Sequence, residues 1–119
     1  MGKLSRTKGK VFERHIAKLL TDTFGVDCRR GLQTAGAQVA DVECPLLWVE
    51  CKVGKAPPLM AALRQAERDV EAAGGGRLPV AFVRFNSPGG GAAATDVALM
   101  SLDDFLDLLA DAYAWRSRS

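Results

Sequence analysis

The stretch ADVECPLLWVECK, residues 40–52, sets Asp41, Glu43, Glu50 and Lys52 inside an otherwise apolar run. A charge buried in such a run is costly unless it is paired or holds an ion. In an extended strand, alternate side chains share a face. Trp48, Glu50 and Lys52 then point one way, and Val49, Cys51 and Val53 point the other way, as a core face. Upstream, Asp41 and Glu43 share one face, with Ala40, Val42 and Cys44 on the opposite one. A hairpin centred between Pro45 and Leu46 pairs Asp41 with Glu50 and Glu43 with Trp48. Pro45 favours a four-residue loop there over a two-residue primed turn. Opposed Cβ atoms lie about 5 Å apart, and two carboxylates that close both stay ionised only with a cation between them. Such oxygen ligands suit Mg²⁺, with Mn²⁺ able to substitute. Lys52, on the Glu50 face, can hold a nucleophilic water or offset charge on a phosphoryl transition state. The plainer alternative is a solvated sheet face with a cross-strand charge cluster. On the metal-site reading Glu43 is a bystander, opposite Trp48 and one step nearer the turn.

A third acid comes from a helix. Residues 8–24 place Ile16, Ala17, Leu20 and Phe24 on one face at helical spacing, widened by Phe12 and Leu19. Ser5 or Thr7 is a candidate cap and Gly25 a stop. Glu13 falls on the line of Ala17, Leu20 and Phe24, where a lone carboxylate needs a partner or a cation. The alternative is a solvated Glu13 one turn from the helix start, paired with an arginine.

The remaining elements must position these groups. Residues 26–31, 39–44 and 47–53 read as strands. Residues 58–73 read as a helix with Leu59, Leu63, Ala66, Val70 and Ala73 as its apolar stripe, opened by Pro57-Pro58 and closed by Gly74. LPVAFVRF at 78–85 is a continuous apolar strand suited to a sheet centre, and 96–101 is a further strand. Ser101 caps a final helix with acids in its first turn. Residues 31–38 and the glycine clusters at 72–77 and 87–94 read as loops. The order α-β-β-β-α-β-β-α implies a single α/β domain, residues 1–119, with a mixed sheet flanked by helices and a basic N-terminal arm over about 1–8.

Bulk properties agree with that reading. The chain has 119 residues, is 48% hydrophobic and 25% charged, and has a net charge of +2. Bases crowd residues 1–18 and acids crowd 96–111, so a polyanion is expected to meet the N-terminal region, unless that region is simply a soluble, basic helix start. No apolar run is long enough to span a bilayer and no secretory signal is visible. Cys28, Cys44 and Cys51 make an odd count without CxxC spacing, which reads as buried thiols in a reducing cytoplasm rather than a disulfide framework or zinc site.

A glutamate on the first helix, then Asp41, then Glu50-Cys51-Lys52 on a strand, then a helix bearing RQAERD, resembles the PD-(D/E)XK nuclease superfamily. Within it the chain is most similar to the archaeal-type Holliday junction resolvases and their phage-encoded relatives. The resemblance rests on KGKVFERHIAKLL, AQVADVECPLLWVECK, LRQAERD and LPVAFVRF, and covers roughly residues 5–85. It implies a restriction-endonuclease-like core, α-β-β-β-α-β with an extra β-α. It implies Asp41, Glu50 and the backbone carbonyl of Cys51 as Mg²⁺ ligands. Lys52 would position the attacking water, Glu13 would complete the acidic site directly or through a metal-bound water, and Gln65 would be the helix glutamine near it. It further implies that Arg29 and Arg30 hold phosphates, with Lys3, Arg6, Lys8, Lys10, Arg14 and Lys55 as other DNA contacts. Two features depart from the pattern. The proline before the aspartate is Ala40 here, and the catalytic-loop serine has no clean match, Thr34 being the nearest hydroxyl.

The expected activity is Mg²⁺-dependent endonucleolytic hydrolysis of branched DNA, most specifically of four-way junctions, in recombination and repair. The expected protein is a homodimer located in the cytoplasm, with the nucleoid, or in a host cytoplasm if phage-encoded. The alternatives are a flap, fork or other branched-DNA nuclease, a DNA-binding module without chemistry, and a charged sheet face that meets a protein partner.

Overall fold

The computed structural model describes residues 2–32, 39–86 and 94–118, with the side chains of residues 2–6 outside that description. Eight elements follow one another as α1 (Gly2–Phe24), β1 (Arg29–Arg30), β2 (Val42–Glu43), β3 (Leu47–Gly54), α2 (Leu59–Ala73), β4 (Leu78–Phe85), β5 (Thr95–Leu99) and α3 (Leu102–Ser117). The five strands form one sheet in chain order. β1, β2 and β3 are antiparallel, β3 and β4 parallel, and β4 and β5 antiparallel. The mixed α/β sheet read from the sequence is thus present. The parallel step requires a crossover, and α2 supplies it.

The register explains which side chains the two covering helices bury. In the hairpin of β2 and β3, Val42 faces Val49 and Glu43 faces Trp48, leaving a four-residue loop over 44–47. α1 lays Phe12, Ile16, Ala17 and Leu20 against Val42, Val49, Cys51 and Val80 on one side of the sheet. α2 covers the other side, with Ala66 against Trp48 and Ala62 beside Ala81 and Val83. Three layers result, with the longest strands, β3 and β4, at the centre.

Several expectations need correction. α1 begins at Gly2, so the basic N-terminus is helix rather than arm, and neither Ser5 nor Thr7 caps it. The residues ahead of position 8 contain no proline and sit in a run of lysine, arginine and leucine, which propagate a helix well. Leu19 and Phe24 lie at the rim of the α1 stripe and are exposed, as is Ala73 at the end of α2. Ala62, outside the expected α2 stripe, is 1% exposed because Ala81 and Val83 admit a close helix approach. β1 and β2 are two residues each, shorter than the segments expected, and the strand expected at 96–101 runs from Thr95 to Leu99. Gly25 and Gly74 do end their helices, both at positive φ, and Ser101 accepts a hydrogen bond from the Asp104 N–H as the cap of α3. Most of the 31–38 loop, including Thr34, and most of the glycine-rich 86–95 loop lie outside the described residues.

Candidate active site

Asp41 stands where the β2 ladder gives way. Its N–H bonds the Val49 carbonyl at 2.9 Å, the carbonyl that lies across from Val42, so both residues address Val49 in a bulge-like step. Its carboxylate Oδ2 accepts the Cys51 N–H at 2.8 Å. Gly31 allows this approach. Its N–H bonds the Asp41 carbonyl at 2.9 Å, and a Cβ added there would lie 2.0 Å from the Ala40 carbonyl oxygen.

Glu50 projects from β3 to the α2 side and is 5% exposed. That face is covered, not solvated, because Trp48 and α2 close over it. The Lys52 Nζ lies 3.7 Å from Glu50 Oε1. Burial, and then the Asp41 charge, push the Glu50 carboxyl up to about 7. Burial also raises Asp41, opposed by the Cys51 N–H, the Lys52 ammonium and a hydrogen bond with Glu50. Burial and the neighbouring Asp41 charge thus both favour the protonated form of Glu50. Asp69 on α2 adds a further negative charge that raises Glu50.

Glu13 reaches the same region from α1. Its Oε1 accepts the Arg30 Nε at 2.7 Å, both side chains being mostly buried. Burial raises the Glu13 carboxyl, Arg30 counters this, and Asp41 raises it further. Arg30 therefore neutralises Glu13 while its charge also favours ionised Asp41. Glu13 has the arginine partner of the alternative reading but is mostly buried rather than solvated, and it feels the Asp41 charge. It is also well inside α1, not one turn from its start. Among the described residues no three His, Cys, Asp or Glu side chains cluster tightly enough to hold a metal by themselves. The acids instead form a pair, Asp41 and Glu50, with Glu13 held aside by Arg30.

The other sequence candidates are dispersed. Gln65 is half-buried on α2, one turn before Asp69. Lys8, Lys10, Arg14 and Lys55 are exposed, with Lys10 close enough to Glu13 to favour its charge. Lys3 and Arg6 belong to α1, with side chains outside the description. Arg29 pairs with exposed Asp27. An open cleft of about 620 Å³ lies against β1 and the β2–β3 turn, lined among others by Arg29, Arg30, Leu32, Glu43 and Arg77. Arg77 stacks over the Trp48 ring, 4.9 Å from its centroid. In the register, Arg29, Glu43 and Trp48 form a row on the Glu50 side of the sheet, two residues along from Glu50.

Sequence reasoning missed Asp69, Arg77 and Gly31. Asp69 follows Gln65 at helical spacing, a signal that was legible in RQAERD. Arg77 and Gly31 act through contacts between distant segments, for which the sequence carries no local signal.

The donor chemistry fits a hard divalent cation. The buried Asp41 and Glu50 carboxyls beside the Lys52 ammonium offer oxygen donors, and Mg²⁺ accepts a few such ligands while keeping waters. No family model, curated protein or solved structure matches this chain.

Proposed function

We propose that the protein is a Mg²⁺-dependent endonuclease for branched DNA, with a four-way junction as its leading substrate. The observation that carries the reading is the buried Asp41–Glu50 pair beside Lys52. The element order from α1 to β4, with an antiparallel three-strand unit and a parallel crossover, supports a restriction-endonuclease-like core. Asp41 and Glu50, with the Cys51 carbonyl, are the residues that would hold Mg²⁺. That ion, when bound, supplies Lewis-acid stabilisation of the charge that develops on the phosphoryl group. Lys52 orients the attacking water and offsets charge on a non-bridging oxygen. Arg29 and Arg77, with the exposed bases of α1, grip backbone phosphates without reading sequence, so affinity falls steeply with salt.

Two opposed cuts require two sites, and hence a twofold dimer. α3 supports that expectation: it buries no side chain within the protomer, and Phe105, Leu106, Leu109 and Tyr113 are exposed along it.

The test is cleavage of a synthetic four-way junction in Mg²⁺ by the wild type, Asp41→Asn, Glu50→Gln and Lys52→Ala. Paired symmetric nicks by the wild type alone are expected. Absence of cleavage, or cleavage unchanged in Asp41→Asn, defeats the reading. The engagement of Glu13 by Arg30 favours a second reading, a DNA-binding module without chemistry. Tight junction binding with no calorimetric Mg²⁺ binding would establish that one instead.

A further inference from the structure

Cys28 and Cys44 are far apart in sequence, yet their Sγ atoms lie 3.3 Å apart. The β1–β2 register accounts for this. Arg29 faces Glu43 and Arg30 faces Val42, so the next step outward sets Cys28 across from Cys44. The Gly31 N–H bonds the Asp41 carbonyl, which marks that pair as hydrogen-bonded. Continued alternation makes Cys28 and Cys44 a pair of the non-hydrogen-bonded, closer kind, in which Cα atoms typically lie about 4.5 Å apart, within the range a disulfide spans. The Cys28 backbone is held from the other side, its N–H donating to the Thr21 hydroxyl at 2.9 Å and its carbonyl accepting from the same group. Both cysteines are buried, at 5% and 4% exposure, and Cys44 lines the open cleft beside β1.

We infer that Cys28 and Cys44 are an oxidisable dithiol, a modification site at which hydrogen peroxide installs a disulfide between the β1 and β2 segments. The Cys44 sulfur, reached through the cleft, attacks one peroxide oxygen. The O–O bond breaks, a sulfenic acid forms, and the displaced hydroxide takes up the thiol proton as water. The Cys28 sulfur then attacks the sulfenyl sulfur, the S–S bond forms, and the sulfenyl oxygen leaves as water with the Cys28 proton. Two thiols and one peroxide give one disulfide and two waters. The sulfurs must close by about 1.3 Å, which rotation of two side chains can share. Burial, and then the neighbouring Cys44, raise the Cys28 thiol to about 11, so Cys28 is held as the thiol at neutral pH and the bridge closes slowly, as a response to sustained peroxide. Cys51 belongs to the same core and serves as an internal control.

The test treats the full-length protein with millimolar peroxide, alkylates it under denaturing conditions and maps the peptides by mass spectrometry. The expected result is a loss of two hydrogen masses, a Cys28–Cys44 bridge, alkylated Cys51 and reversal by dithiothreitol. The bridge shortens the loops open to the unfolded chain, and a rise of about 10 °C in melting temperature accompanies it. Cys51→Ala keeps both effects, whereas Cys28→Ala and Cys44→Ala lose them. Alkylation of all three thiols after treatment, acids without a bridge, a bridge to Cys51, or a bridge that leaves the melting temperature unraised would each overturn the inference. None of these outcomes depends on nuclease activity.

Discussion

The Asp41 carboxylate accepts the Cys51 backbone N–H at 2.8 Å, tying the acid at the start of β2 to the strand that carries Glu50 and Lys52. One hydrogen bond thus fixes the Asp41 position and removes one of the lone pairs available to a cation. It also allows the bond to be separated from the charge. Asp41→Asn retains an acceptor oxygen and relieves the repulsion with Glu50. It is expected to be at least as stable as the wild type near pH 8 while losing Mg²⁺ binding. Asp41→Ala leaves the Cys51 N–H without its acceptor and should be about 1–3 kcal/mol less stable than Asp41→Asn. Urea denaturation of the two variants measures that difference.

Glu50 makes stability depend on pH. Its carboxyl is raised in the folded state to about 7 from an ordinary 4.5. Below about 4.5 both states are protonated and the residue costs nothing by linkage. Between about 4.5 and 7 the unfolded chain releases a proton that the folded one retains, so rising pH erodes stability until the folded carboxyl ionises. Glu50→Gln is therefore expected to be more stable than the wild type above pH 7 without metal, by on the order of 3 kcal/mol. The gain should vanish towards pH 4. Denaturation midpoints across that range check it; a gain that grows on acidification contradicts it.

The same proton would compete with the proposed metal. On the proposed function, Mg²⁺ would displace the proton that Glu50 retains below about pH 7, so affinity should fall about tenfold per pH unit and level off above 7. Calorimetry in two buffers of different ionisation enthalpy should find about one proton released per ion near pH 6 and almost none near pH 8.

Gly31 is required for space. A Cβ would meet the Ala40 carbonyl oxygen at 2.0 Å and Val39 Cγ1 at 3.0 Å. Gly31→Ala must push the β1 segment away from Asp41, with an expected loss of about 2–3 kcal/mol. Weakened Mg²⁺ binding should accompany the lower denaturation midpoint, since the residue displaced is a proposed ligand.

The hairpin register was legible because alternation and a proline in the turn leave few pairings that keep Val42, Val49 and Cys51 together in the core. The step at Asp41 was not legible, since it depends on Gly31 coming close from another segment. Alternation also sorted Trp48, Glu50 and Lys52 onto one face, but it could not say whether that face meets water. α2 covers it, and the burial of Glu50 is a tertiary fact. The three cysteines read correctly as buried thiols, yet the approach of Cys28 to Cys44 needs the β1–β2 register, which no local pattern encodes. The start of α1 was missed because apolar periodicity begins only at its buried part, whereas the helix continues to Gly2 through residues that favour it intrinsically.

β1 consists of two arginines and forms one rim of the sheet. A rim of that kind has little backbone to offer a sixth strand, and its exposed Arg29 and Asp27 keep their hydration. On this side the protein is guarded against growing into stacked, fibre-like assemblies during folding or at high concentration. The short rim strand and its exposed Arg29 thus keep one copy from zipping onto the next.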